Sequence, residues 1–161
     1  MEDPKLLVES TLSDIEDRHL RERMLSVNTE YFEFTELPRI RWSQGRVKKK
    51  YHKVTFGTYD IRRKEIRIHP LLSDIFVPRY VLDFVIYHEL LHFEDFHING
   101  GSERRRRKGE RVHSREFHKR EKEFEFKKEA NRVLQLIARG EFKSRPPART
   151  LPDSDELFLF E

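Results

Sequence analysis

The chain has 161 residues, of which 33 are Lys or Arg, 29 are Asp or Glu and none is Cys. This length is typical of a single domain, and the lack of cysteine excludes disulfides, cysteine-ligated zinc ribbons, iron–sulfur clusters and thiol catalysis. No apolar run approaches the roughly 20 residues that cross a bilayer, and the acidic start at residues 1–5 is unlike a secretory signal. We therefore expect a cytoplasmic protein that does not associate with membranes.

The first half of the chain predicts a helix followed by a small sheet. Apolar residues recur at helical spacing over residues 5–24. From Pro38 to Pro70 the pattern changes to the alternation that is typical of strands with one face in water. We expect a three-stranded sheet, antiparallel or mixed, with strands near residues 39–43, 52–59 and 65–69.

The second half predicts two helices joined by a basic loop. The helix at about 78–96 begins with Pro78, which the first helical turn tolerates. Apolar residues lie on most sides of this helix, which indicates that the helix is buried. A basic loop at 98–112 leads to a long helix at about 114–139. The fold class is therefore α+β, with one domain over residues 1–145 and an acidic, aromatic-ended tail at 146–161.

The buried helix contains the string His88-Glu89-Leu90-Leu91-His92. Residues four apart lie on one helix face, so His88 and His92 can reach one zinc ion, each at about 2.0–2.1 Å. Glu89 lies about 100° round the helix, where it can act as general base on a water beside the metal. The alternative is two polar histidines at a helix edge, but three ionisable groups in so apolar a helix are costly to desolvate. The string therefore indicates a zinc-dependent peptidase.

A catalytic zinc usually has three protein ligands and one open position. The downstream candidates for the third ligand are His97, His113, Glu116 and His118. His97 follows His92 by five residues, one fewer than in the pattern His-Glu-x-x-His-x-x-Gly-x-x-His. We favour His113, because it begins the last helix after a loop that is long enough to return to the first two histidines.

The segment Tyr80–His92, followed by His113-Ser114-x-x-Phe117, resembles the SprT-like and YgjP-like zinc metallopeptidases. In that family a motif His-(Gly/Ser)-x-x-(Phe/Trp) follows the His-Glu-x-x-His helix and supplies the third ligand. The preceding strands are similar too, so the likeness covers roughly residues 38–138. The basic insert at 98–111 is longer than the usual link, and the zinc ribbon of some relatives is absent.

The resemblance implies a minimal zincin-like domain that hydrolyses peptide bonds in a peptide or protein substrate. The implied site has Zn²⁺ on His88, His92 and His113, with Glu89 as general base. The donor to the oxyanion is left open, and the candidates are Tyr59, Tyr87 and Arg115. An extended substrate is expected to pair with the sheet edge at Val54–Tyr59.

Basic residues suggest a second function, which is nucleic-acid binding with or without proteolysis. Residues 39–71 hold eleven basic and two acidic side chains, and cations interleaved with rings can neutralise phosphates and stack bases. Lysines at strand edges also discourage aggregation without any ligand. The candidate contacts are Lys48, Lys49, Lys50, Arg104, Arg105, Arg106 and Arg107.

Two further hypotheses concern turnover and the tail. A zinc-stabilised scaffold without activity is the third function, although an intact Glu89 argues against it. The apolar end of the tail, Leu157–Phe160, either packs on the domain surface, stays loose or occupies the cleft as an inhibitory segment.

Overall fold

A computed structural model describes the backbone of residues 4–44, 54–98 and 113–142, and their side chains from residue 18 onwards. The predicted tail, residues 99–112 of the basic loop and the candidate contacts Lys48–Lys50 and Arg104–Arg107 lie outside this part of the chain. The elements, in chain order, are α1 (Pro4–Tyr31), β1 (Arg39–Trp42), β2 (Gly57–Asp60), β3 (Glu65–Ile68), α2 (Arg79–Phe93), α3 (Arg115–Glu121) and α4 (Lys127–Ala138). A short 3₁₀ turn at Pro70–Ser73 precedes α2, and a π-helical turn at Glu94–Ile98 extends it.

The predicted α+β fold with a small sheet is confirmed, and the sheet is mixed, in the order β1-β3-β2. β2 and β3 form an antiparallel hairpin because Asp60 accepts hydrogen bonds from the backbone N–H groups of Arg62 and Arg63 and so closes the turn between the strands. β1 pairs with the other edge of β3 and runs parallel to it. The second strand is shorter than predicted, since residues 54–56 precede it outside the ladder.

Helix α1 continues beyond the predicted end at residue 24 because its apolar stripe continues. Leu20, Met24 and Val27 are all buried. The helix ends where the Asn28 side chain bonds both the N–H and the carbonyl of Phe34, which turns the chain toward β1.

The core lies between the sheet and the helices, with α2 at its centre. Arg23 of α1 and Asp83 of α2 form a two-point ion pair, with Nε 2.9 Å from Oδ1, that joins these helices. None of the described helices is both long and apolar enough to span a bilayer. The burial predicted for α2 is confirmed all round its axis, at Val81, Leu82, Phe84, Val85, Ile86, Tyr87, Glu89, Leu90, Leu91 and Phe93.

The prediction of one long helix at 114–139 is wrong, because the chain breaks between α3 and α4. The buried Tyr87 hydroxyl donates a hydrogen bond to the carbonyl of Arg120. The same carbonyl accepts from the N–H of Glu123, three residues on, rather than from the residue four on as in an α-helix. The turn that results places Phe124 in the core beside the Tyr87 ring.

Candidate metal centre

Helix α2 presents His88 and His92 one turn apart on the same face. Their ring centroids are 5.1 Å apart, and both side chains are half-buried. This is the arrangement that the spacing of four residues predicts.

His113 joins these two histidines from the opposite side of the site. Its Nε2 lies 3.2 Å from Nε2 of His92, and its ring centroid lies 4.9 Å from that of His88. The residue comes just before α3, whose first turn is capped by Ser114 accepting a hydrogen bond from the N–H of Phe117. The buried ring of Phe117 packs against all three imidazoles and holds them together.

The three imidazoles fit a single metal ion. One ring nitrogen of each lies within 4.8 Å of those of the other two. Two nitrogens bound tetrahedrally to zinc at about 2.0–2.1 Å are about 3.3 Å apart, close to the 3.2 Å between His92 and His113. Among the described residues, His88, His92 and His113 form the one group of His, Asp or Glu side chains that can hold a metal ion.

A carboxylate behind His88 fixes the orientation of its ring. Glu121 Oε1 lies 2.9 Å from Nδ1 of His88, which leaves Nε2 for a metal, and Glu121 Oε2 accepts a hydrogen bond from Lys127 at 2.9 Å. Burial favours a higher pKa for Glu121, but its bonds to His88 and Lys127 outweigh burial and lower the pKa to about 2. Ligating histidines commonly have such a carboxylate on the second ring nitrogen. Nothing in the sequence singles out Glu121 from the other acidic residues of this charged segment.

Glu89 lies next to His88 in the sequence and is only 4% exposed. Its burial raises the pKa of the carboxyl to about 7, against a smaller lowering effect of His88. β2 comes so close to this side chain that a Cβ on Gly57 would lie 2.8 Å from Glu89 Oε1. Gly57 therefore permits the strand to pack directly on the carboxylate, and a glycine within a strand is the sequence signal for such an approach.

The other candidate ligands lie outside the histidine group. His97 is in the π-helical turn after α2, where its Nε2 lies 2.5 Å from the Tyr59 hydroxyl. Glu116 and His118 are exposed on α3. Nδ1 of His118 lies 3.7 Å from Oε2 of Glu121, which is a weak contact. The preference for His113 thus agrees with the geometry.

The hydroxyls of two of the three candidate oxyanion donors already have partners. Tyr87 is buried, and its hydroxyl bonds the carbonyl of Arg120. Tyr59 is on β2, where its hydroxyl lies 2.5 Å from Nε2 of His97. Burial and then the charge of Asp60 raise the pKa of Tyr59 to about 12, so the phenol keeps its proton at neutral pH. Arg115 is exposed in the first turn of α3.

The site is thus a set of three half-buried imidazoles, a buried carboxylate beside them and a carboxylate–lysine pair behind His88. These groups come from α2, the segment just before α3, the last residue of α3 and the first residue of α4. Comparison of the chain with protein-family models, with curated proteins and with solved structures finds no match.

Proposed function

We propose that this protein is a zinc-dependent metallopeptidase that cleaves peptide bonds in a peptide or protein substrate. The observation that carries the proposal is the convergence of His88, His92 and His113 beside the buried carboxylate of Glu89. Imidazole is a preferred zinc ligand, and structural zinc sites are usually closed by four protein ligands. A group of three leaves one position for water or substrate, which is typical of catalytic zinc.

The chemistry divides between the metal and the side chains of the chain. When bound, zinc supplies Lewis acidity, which polarises a substrate carbonyl and lowers the pKa of water toward about 7. Glu89 accepts a proton at its carboxylate from the attacking water and then gives the proton to the leaving amine. Glu121 keeps the His88 ring in the tautomer that presents Nε2, because it bonds Nδ1.

The sheet offers a place for an extended substrate. β2 is an outer strand of the described sheet, with β3 on one side and α2 against its inner face. A peptide that adds to an outer strand gains backbone hydrogen bonds. Because Gly57 of β2 contacts Glu89, a peptide paired there would pass beside the base.

The proposal is tested by replacing the base while keeping the metal. Glu89→Gln keeps the size of the side chain but cannot accept the proton, so we expect hydrolysis of a peptide library to fall by about 10²–10⁴-fold. Zinc content should stay at one ion per chain, measured by elemental analysis. Hydrolysis at the wild-type rate in this variant would refute the assigned base. A wild-type protein that holds zinc and cleaves no library member would favour the scaffold function.

A further inference from the structure

The two faces of β2 differ, because only one of them meets α2. A Cβ on Gly57 would lie 2.8 Å from Oε1 of Glu89, and the ring of Tyr59 packs against Phe93, with ring centroids 6.1 Å apart. Side chains alternate along a strand, so Thr58, between these two residues, points to the opposite, outward face. The exposure of Thr58 agrees with this. A peptide paired with β2 would divide its own side chains between the same two faces.

The ladder determines which backbone groups of β2 are directed to its outer edge. The N–H of His69 bonds the carbonyl of Phe56, and the antiparallel register continues from this pair along β2. Hydrogen-bonded and non-hydrogen-bonded pairs alternate in such a ladder, so the backbone groups of Gly57 and Tyr59 are directed away from β3. A peptide that bonds these groups has one residue opposite Thr58. Cross-strand partners share a face, so the side chain of that residue lies on the outward face.

A recess of about 410 Å³ lies along this outer edge of β2. Its lining includes Thr58, Asp60, Arg62 and Arg67. Arg67 is the partner of Thr58 in the β2–β3 ladder, and a paired peptide would extend this row by one residue. Because threonine is short and arginine is long, the guanidinium of Arg67 can interact past Thr58 with the side chain of the peptide.

The guanidinium of Arg67 is only partly occupied by the protein itself. Oε1 of Glu65 accepts a hydrogen bond of 2.9 Å from Nε of Arg67 and another of 2.9 Å from Nε of Arg41. One carboxylate thus serves two arginines. Within the described residues, Arg67 bonds this carboxylate through Nε, which leaves its terminal nitrogens for a further acceptor.

Arg62 adds a charge that no described carboxylate offsets. Its side chain is exposed, and only its backbone N–H bonds Oδ1 of Asp60, which also accepts from the N–H of Arg63. Oδ2 of Asp60 lies 4.0 Å from Nε of Arg63. Three arginines therefore stand against two carboxylates in and beside the recess, Arg67 and Glu65 included, and the excess charge is positive.

We propose that the peptidase prefers substrates with Glu or Asp at the residue opposite Thr58, and that Arg62 and Arg67 bind this carboxylate. Guanidinium groups form strong charge-assisted hydrogen bonds with carboxylates, whereas a substrate Lys or Arg in the same place would be repelled. This inference rests on the proposed peptidase function and names the specificity of that site. Because Gly57 adjoins Glu89, the residue opposite Thr58 is the neighbour of the one beside the base. The acidic residue should therefore lie at a fixed distance from the cleaved bond.

The test is a cleavage profile of the zinc-loaded full-length protein on a library of random peptides, with the cleaved bonds aligned by mass spectrometry. We expect Glu and Asp to be enriched, and Lys and Arg to be depleted, at one position relative to the cleaved bond. Peptides that differ only by Glu, Gln or Lys at that position then give kcat/KM. The Glu peptide should exceed the Gln peptide by about three- to tenfold, and this advantage should decrease at high salt.

Variants separate the recess from general positive charge. Arg62→Gln removes a side chain without a described partner, so the fold should be kept, as checked by circular dichroism, and the ratio of kcat/KM for Glu over Gln should fall toward one. Arg67→Gln should lower the same ratio, although it also removes a bond to Glu65. Arg132→Gln removes equal charge from the exposed side of α4 and should keep the ratio. Arg62→Glu should shift the preference toward Lys.

The possible failures distinguish this inference from the proposed function. Cleavage without acidic enrichment at a fixed position would overturn the preference and leave the peptidase proposal intact. An unchanged ratio in both Arg62→Gln and Arg67→Gln, or an equal fall in Arg132→Gln, would also overturn the assigned subsite alone. A wild-type protein that cleaves no peptide would overturn both proposals.

Discussion

The two carboxylates of the candidate metal centre have opposite environments. Glu89 is enclosed by α2 and β2, and burial raises its pKa to about 7. Burial acts on Glu121 in the same direction, but His88 and Lys127 bond both of its oxygens and lower its pKa to about 2. A carboxyl that gains and loses a proton near neutral pH suits a base, and one that stays ionised suits an anchor. The difference in environment therefore supports the proposal that Glu89 is the base and that Glu121 orients His88.

Loss of the third imidazole, that of His113, should reduce zinc affinity more than any other change at this site. His113→Ala takes away one of three imidazoles, so zinc affinity should fall by more than the roughly 10–100-fold that loss of an outer hydrogen-bond partner costs. His97→Ala is the matched control, because His97 bonds Tyr59 rather than a ligand. Zinc titration of both variants against a chelating dye measures the difference. Equal zinc affinity in the two variants would contradict the ligand assignment.

The environment of Glu89 predicts how the stability of the metal-free protein depends on pH. A carboxyl whose pKa is higher in the folded state binds extra protons there, so its contribution to stability is lost as the pH rises from about 4.5 to 7. Gln cannot ionise, so Glu89→Gln does not lose this contribution to stability as the pH rises. With zinc chelated, the variant should exceed the wild type by about 3 kcal/mol in unfolding free energy at pH 8 and by little at pH 4. Urea denaturation at both pH values measures this, and a difference independent of pH would argue against a buried carboxyl with a raised pKa.

The environment of Glu121 predicts a smaller effect, which is on zinc affinity rather than on the free energy of unfolding. Glu121→Gln can still accept a hydrogen bond from His88 but no longer carries the charge that holds the ring, so zinc affinity should fall by about 10–100-fold. At saturating zinc the variant should recover most of its hydrolytic rate, whereas Glu89→Gln should not. Competition with a chelator and peptide hydrolysis measure the two quantities. Loss of activity at full zinc occupancy would assign Glu121 a direct part in the reaction.

Much of the site could be predicted because its key residues are close in sequence. The period of the α-helix places His88 and His92 on one face without knowledge of the fold, and the apolar girth of α2 predicts that Glu89 is buried. His113 is more distant, and three signals favoured it over His97: its position after a long loop, the spacing of His97, which is one residue short, and the resemblance of His113-Ser114-x-x-Phe117 to a family motif. The positions of His88, His92 and Glu89 follow from local periodicity, whereas the prediction of His113 also assumes that two distant segments meet.

The remaining features depend on contacts between distant segments. Glu121 acquires its role only because α3 packs against α2, and a charged helix carries no signal that one of its acids faces a histidine. The break between α3 and α4 arises from the Tyr87 hydroxyl, 33 residues earlier, taking the carbonyl of Arg120. β1 likewise pairs with β3 rather than with β2, the next strand along the chain, because the β2–β3 hairpin leaves one edge of β3 open.

X-ray absorption at the zinc edge counts the imidazoles that bind the proposed zinc ion. We expect three imidazole nitrogens and one oxygen at about 2.0–2.1 Å from the metal in the wild-type protein, and two imidazoles in His113→Ala. A wild-type spectrum that fits two imidazoles or fewer, or that is unchanged in His113→Ala, would contradict this expectation.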